Sequence, residues 1–299
     1  MKTQPWEKTD AACPPDGIYS DVPFEDYCEW DAINHSKLCR IDKSPLNCQH
    51  AKDFGASPAI RLGSLVHTGQ LEPEELDKRY CVMPSYHLHP ENVTGAGKPS
   101  TSNATEYVKQ CKLDFQSVAV ALGKTVVSQS EFDSLHDAMS AISKCKPAVD
   151  LLNGATTELS IVWTDADTDL TCKARIDIHT PYAIGDLKTS RDDKDWPLPM
   201  SFEHSLWQYN YYTQAAYYRH GWEVLTGECL PFWFVVVGTT PPMQCVAAPV
   251  GEVTLAVGYN KNKERLAVYA KCKRDDCFPG YESPELFELP ERYLPSEVM

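Results

Sequence analysis

The sequence predicts an α/β protein in which a run of consecutive strands is set among longer helices. Three observations predict it. Between Thr157 and Thr189, three strand-like segments are separated by an acidic turn and by a turn containing Pro181, the pattern of an antiparallel meander. Phe232 to Val237 is a near-continuous apolar run, as in a strand buried on both faces. Around these, apolar residues recur at helical spacing, as Phe132, Leu135, Met139 and Ile142 do.

In chain order, residues 1–30 read as irregular, because Pro5, Pro14, Pro15, Gly17 and Pro23 interrupt any period. Asn34 to Arg40 reads as a short helix, and Ser44-Pro45 ends it or starts the next. Ser57-Pro58 is a helix start, with Ser57 as N-cap and the helix running to about Leu71. Within it, Gly63 and His67 are four apart and share a face. A glycine there costs about 1 kcal/mol and implies a close approach. On this helix alone a tight helix crossing, with His67 as a satisfied core histidine, is favoured over a site. Residues 83–104 are rich in Pro, Gly, His, Ser, Thr and Asn and read as a long loop, with His87 and His89 solvated. Helices are expected over 104–122 and 131–152, with Asn153-Gly154 as a stop.

Strands follow over 157–163, 170–178 and 182–189, with Asp165, Asp167 and Asp169 forming a hairpin turn rather than a calcium loop, whose glycine and final glutamate are missing. A single aromatic-rich helix is expected from Phe202 to His220, closed by Gly221. Cys245 to Pro249 reads as a short strand beside Phe232–Val237, and Val253 to about Lys273 as a long amphipathic helix. The tail from Phe278, with Pro279, Pro284, Pro290 and Pro295, is expected to lie extended over the body. With no repeat and no linker, residues 31–299 form one expected domain.

The chain has 299 residues, 42% hydrophobic and 23% charged, an ordinary globular composition. Its net charge of -14 excludes a protein that coats DNA by being basic throughout. An enzyme with a local basic channel on an acidic body is compatible with it. The first residues lack a signal-peptide core and no run approaches eighteen apolar residues, so no membrane association and a cytoplasmic location, bacterial or phage-infected, are expected. The 12 cysteines are scattered singly without any Cys-x-x-Cys, which argues against a zinc ribbon and for reduced thiols.

The chemistry concentrates in the meander. On a strand, residues two apart share a face, so Asp186 and Lys188 point one way and Leu187 the other. Asp177 ends the preceding strand. Pairing of the strands would bring two carboxylates and one ammonium together, enough to hold a hard divalent cation and assist hydrolysis of a phosphate ester. Asp-x-Lys alone is also a common exposed ion pair of little value.

The ordered series is more specific. A helix carries Gly63-x-x-x-His67, a strand Glu158, the next strand Asp177, the next Asp186-x-Lys188, and a helix Gln208-x-x-x-Tyr212. This resembles the PD-(D/E)xK nuclease superfamily in its RecB-like branch, nearest to the exonuclease VIII (RecE) type, from about residue 30 onward. The resemblance implies a restriction-endonuclease-like core with a mixed central sheet flanked by helices. It implies Asp177, Asp186 and the Leu187 carbonyl as metal ligands, with His67 as a further ligand or just behind the metal. Lys188 would be the catalytic lysine, and Glu158 would bind or orient a metal-bound water. Gln208 and Tyr212 would orient Lys188 or hold a DNA phosphate. Asp186 stands where many members carry Glu, as the exonuclease VIII group tolerates. Some related nucleases bind an iron–sulfur cluster on four cysteines, but Cys272 and Cys277 have no close companions in sequence.

The activity so implied is Mg²⁺-dependent exonuclease action, with Mn²⁺ able to substitute, running 5′ to 3′ on linear duplex DNA in recombination or repair. A homo-oligomer and a single-strand annealing partner belong to the same implication. A RecB-type endonuclease or single-strand exonuclease is the alternative within the superfamily. A catalytically silent DNA-binding protein on the same fold is the alternative outside it.

Overall fold

The computed structural model describes residues 2–50, 58–191 and 196–283. The meander forms where alternation and turns dictate, over β5 (Thr156–Thr164), β6 (Thr171–Thr180) and β7 (Ala183–Ser190). Pro181 and Tyr182 make the two-residue turn between Thr180 and Ala183, and Asp165 closes the other turn by accepting hydrogen bonds from Thr168. The apolar run becomes β8 (Phe232–Gly238), parallel to β7, with β9 (Cys245–Pro249) antiparallel at its far side.

The first thirty residues are not irregular throughout. β1 (Gln4–Pro5) and β2 (Gly17–Ser20) extend the sheet, β2 pairing antiparallel with β5. The order is β1-β2-β5-β6-β7-β8-β9, a mixed seven-stranded sheet. A second, parallel pair joins β3 (Tyr80–Val82) to β4 (Thr125–Val127). Both short strands escape a periodicity search because three residues carry no period.

Helices cover both faces. α1 (Phe24–Glu29), α2 (His35–Cys39, capped by the Asn34 side chain) and α3 (Pro45–His50) lead to α4 (Pro58–Leu71) and α5 (Pro73–Arg79). The cap expected at Ser57 lies outside the described residues, as does the tail from Pro284. α6 (Glu106–Ala121) follows the long loop. The helix expected over 131–152 is two: α7 (Gln129–Lys144), with a capping box of Ser128 and Glu131, and α8 (Lys146–Leu152). Pro147 cannot continue a helix begun before it, so Cys145 turns extended.

The aromatic helix is also two. α9 (Leu198–Gln208) stops at Tyr209, Asn210 takes a left-handed conformation at φ 58°, and α10 (Tyr211–Thr226) starts in a new direction. Gly221 does not close α10. It lies inside it, where the Trp163 ring would come within 2.7 Å of an added Cβ, and Gly227 ends the helix. α11 (Glu252–Arg274) packs along α10.

One core lies between the sheet and α2, α9, α10 and α11, built on Leu159, Trp163, Ile176, Phe234 and Tyr217. The other lies against α4, α7 and α8, built on Leu65, Leu135, Ile178, Leu187 and Val235. Ile176 and Ile178 therefore pack in different cores although two apart, so the period of β6 breaks at Asp177. The β5–β6 ladder skips the same level: Thr157 pairs with Ile178 and Leu159 with Ile176, but Glu158 is left out at φ 59°. The sheet opens where the sequence concentrates its acids.

Candidate active site

α4 brings His67 over the opened sheet. Gly63, one turn earlier, lets the helix approach, since an added Cβ would lie 3.1 Å from Thr189 Oγ1 on β7. His67 Nε2 lies 3.1 Å from Asp177 Oδ2 and 3.4 Å from Glu158 Oε1. One donor atom from each of His67, Glu158 and Asp177 falls within 4.8 Å of the others, which is the spacing of ligands around one ion. Asp177 Oδ2 also accepts from the Leu187 backbone N–H at 2.9 Å, so the Leu187 peptide borders the group.

Asp186 stands beside these three rather than among them. It is ion-paired with Lys188, and its Oδ1 accepts from Gln214 Nε2 at 2.6 Å. Lys188 Nζ lies 5.0 Å from the centre of the Tyr211 ring. Glu158 is ion-paired with Arg175, which in turn donates to the Val22 carbonyl at 2.8 Å.

Electrostatically the group is crowded. Burial, then the charge of Asp177, pushes the Glu158 carboxyl up to about 7 and the Asp186 carboxyl up to about 6. Burial disfavours the His67 cation, but Asp177 and then Glu158 and Asp186 outweigh it and raise His67 to about 9. Burial likewise opposes charge on Asp177, and His67 more than offsets it, so Asp177 is lowered. Lys188 is opposed by burial and held up by Asp186, so it remains an ammonium. Strongly perturbed titratable groups gathered in a cleft are a feature of functional sites.

Gln208 and Tyr212 are not brought together. The break at Asn210 puts them on different helices: Gln208 is exposed on the wall of the cleft, and Tyr212 is buried, stacked on Trp207. Gln214 and Tyr218, at the same four-residue spacing on α10, are the pair that lines the site. The sequence carried that signal, but choosing between two overlapping pairs required knowing where the helix breaks.

The donor set suits a hard divalent cation. It offers two carboxylates and an imidazole, and buried Glu158 Oε1 has no hydrogen-bond partner among the described residues. An oxygen-seeking ion would satisfy that atom and relieve the carboxylate repulsion. The group forms the floor of a cleft of about 1840 Å³.

The sequence matches the family model of the PDDEXK-like domain of unknown function, DUF3799, over residues 36–289. The chain belongs to this family. Among solved structures, the "Putative exonuclease" of Eubacterium rectale is similar over 86% of this chain and 88% of its own, at 14% identity and a TM-score of 0.57. That likeness shows a shared fold. A second structure, SSO0001, overlaps 69% of this chain and 85% of its own at 12% identity, but its TM-score of 0.27 carries no argument. No curated protein matches the sequence. The mixed sheet flanked by helices is the PDDEXK-like architecture that the ordered motifs imply. Among the described residues, no helix is long and apolar enough to cross a membrane.

Proposed function

We propose that this PDDEXK-like protein is a divalent-metal-dependent DNA exonuclease that hydrolyses phosphodiester bonds, using Mg²⁺ with Mn²⁺ as a substitute. The observation that carries the reading is the convergence of His67, Glu158 and Asp177 within 4.8 Å beside the Asp186–Lys188 pair. His67, Asp177 and Glu158 would hold the cation, with the Leu187 carbonyl and Asp186 as its neighbours. When bound, such an ion supplies a Lewis acid and lowers the pKa of coordinated water.

The chain's own groups have distinct tasks in this reading. Lys188, kept charged, donates and does not abstract. It orients the attacking water or offsets negative charge on the phosphate oxygens. Asp186 fixes Lys188, and Gln214 fixes Asp186 through its hydrogen bond to Oδ1. Tyr211 packs against the lysine from the other side. Seven Lys and Arg against five Asp and Glu line the cleft among the described residues, in a chain of 28 against 42, so the substrate side is locally cationic. A polyanion is attracted there and repelled elsewhere.

The 5′ to 3′ direction, the linear duplex, a homo-oligomer and a single-strand annealing partner in recombination rest on the resemblance to exonuclease VIII-type enzymes. The test is linear duplex DNA labelled at either the 5′ or the 3′ end, with Mg²⁺ or chelator, beside closed circular plasmid. Early Mg²⁺-dependent release of the 5′ label with the circle intact is expected. Cutting of the circle would make the protein an endonuclease, and intact DNA with either metal would overturn the reading.

A further inference from the structure

Two exposed aromatic rings flank the carboxylate group from opposite sides of the opened sheet. On the β5 side, Phe24 is 52% exposed, and its ring lies 5.9 Å from the guanidinium carbon of Arg175, the residue paired with Glu158. On the β7 side, Tyr209 is 56% exposed and lies 5.7 Å from the ring of Tyr211, the residue packed on Lys188. Phe24 is one side chain, Arg175, away from Glu158 on β5, and Tyr209 is two, Tyr211 and Lys188, away from Asp186 on β7, with β6 and Asp177 between those two strands. Both line the cleft, as does the exposed Trp196.

Phe24 stacks on Tyr27 beside Arg175, and Tyr209 is tilted at 43° to Tyr211. A base paired inside a duplex has both faces covered and its edge engaged. An unpaired base has a free π-face, and stacking on an aromatic side chain is worth about 1–3 kcal/mol per base whatever its identity. The cationic lining of the same cleft complements the backbone of such a strand.

We propose that the strand in the site is unpaired, with the bases on either side of the attacked phosphate stacked on Phe24 and Tyr209. The inference rests on the nuclease reading and defines its substrate: a duplex reaches the centre only by a frayed end, and a single strand reaches it directly. Neither Phe24 nor Tyr209 touches the reacting atoms. They hold the nucleotides that bracket them.

The test is binding by the full chain in chelator, where no cleavage occurs, so that it is read independently of activity. The probes are a labelled single-stranded oligonucleotide, a fully paired duplex of the same sequence closed at both ends by base-free polyethylene glycol linkers, and a duplex with a frayed end. The wild type is expected to prefer the single strand and the frayed duplex to the closed duplex. Phe24→Ala and Tyr209→Ala should each weaken single-strand binding about 5- to 150-fold, the range of one lost stack. Tyr209→Trp should retain it. 2-Aminopurine at the central positions should be quenched by the wild type and not by the alanine variants. Equal affinity for the closed duplex, or unchanged single-strand affinity in both alanine variants, overturns the proposal. Stacking without any cleavage in Mg²⁺ would support it while refuting the nuclease reading.

Discussion

Arg265 and Asp186 are each 1% exposed, yet their surroundings are built differently. Arg265 on α11 spends every donor. It reaches Asp42 at 3.1 Å through Nε, Thr213 and Asn262 at 3.1 and 3.2 Å, and Asn210 at 2.9 Å. His35 completes the cluster, with Nε2 2.7 Å from Thr213 Oγ1. Asp186 instead sits among like charges. Its Oδ2 has no hydrogen bond beyond the charge contact with Lys188, and nearby Glu158, in a left-handed backbone, has an oxygen met only by the charge of His67 at 3.4 Å. Buried charge that holds a fold together is matched, whereas buried charge kept for chemistry is left under-satisfied, with strain retained at the site. The two clusters are linked: Arg265 holds Asn210, the residue that breaks α9 from α10 and so aims Gln214 at Asp186.

The contrast yields four predictions, in order of decreasing effect. Lys188→Ala should lower cleavage of linear DNA at least about 10²- to 10³-fold, the scale of losing one donor to a developing oxyanion. DNA affinity in chelator should stay within a few-fold, and unchanged cleavage would remove Lys188 from the site. Arg265→Ala should cost about 3 kcal/mol in urea unfolding, the low end for a broken buried pair because Asp42 is partly solvated. A loss below about 1 kcal/mol would show that the network is not structural.

The third prediction concerns the ion. At a hundredfold excess over its dissociation constant, Mg²⁺ or Mn²⁺ should stabilise the wild type by about 2.7 kcal/mol. Asp177→Asn should abolish that shift, and a shift that survives would place the ion elsewhere. The fourth concerns pH. Burial, then the charges of Arg265 and Lys188, pushes His35 down to about 3, so the folded protein holds it neutral. The unfolded chain takes up a proton near pH 6.5, so stability is full above that pH and falls as pH drops toward 3. Below pH 6, His35→Asn should flatten the slope by about 1.4 kcal/mol per pH unit. An identical slope in the variant would contradict a neutral buried imidazole.

Much of this was legible in sequence where the interactions are local. Alternation placed the meander, Phe232–Val237 announced its buried neighbour, and Gly63 marked a close approach, which β7 makes rather than a crossing helix. Asp177, Asp186 and Lys188 could be brought together because strand pairing and alternation are short-range rules, whereas His67, far earlier in the chain, was placed beside them only by the resemblance. What was missed is non-local. Gly17–Ser20 is a strand only because β5 offers an edge well over a hundred residues later. The break at Asn210 carries no proline or glycine, and the residue that holds it comes from α11, 55 residues away. Gln208 and Tyr212 therefore looked like one face, and the shift to Gln214 could not be read. Pro147, by contrast, lay in the sequence as a local signal for the end of α7, and the expectation of one helix over 131–152 passed over it.

The most direct test of under-satisfied charge is Glu158→Gln, melted in chelator and assayed on linear duplex with Mg²⁺. The substitution removes a buried charge that folding disfavours and keeps an oxygen for Arg175. The melting temperature should hold or rise while metal-dependent cleavage is lost. A variant that melts as early as Arg265→Ala and still cleaves DNA would show that Glu158 serves the fold and not the chemistry.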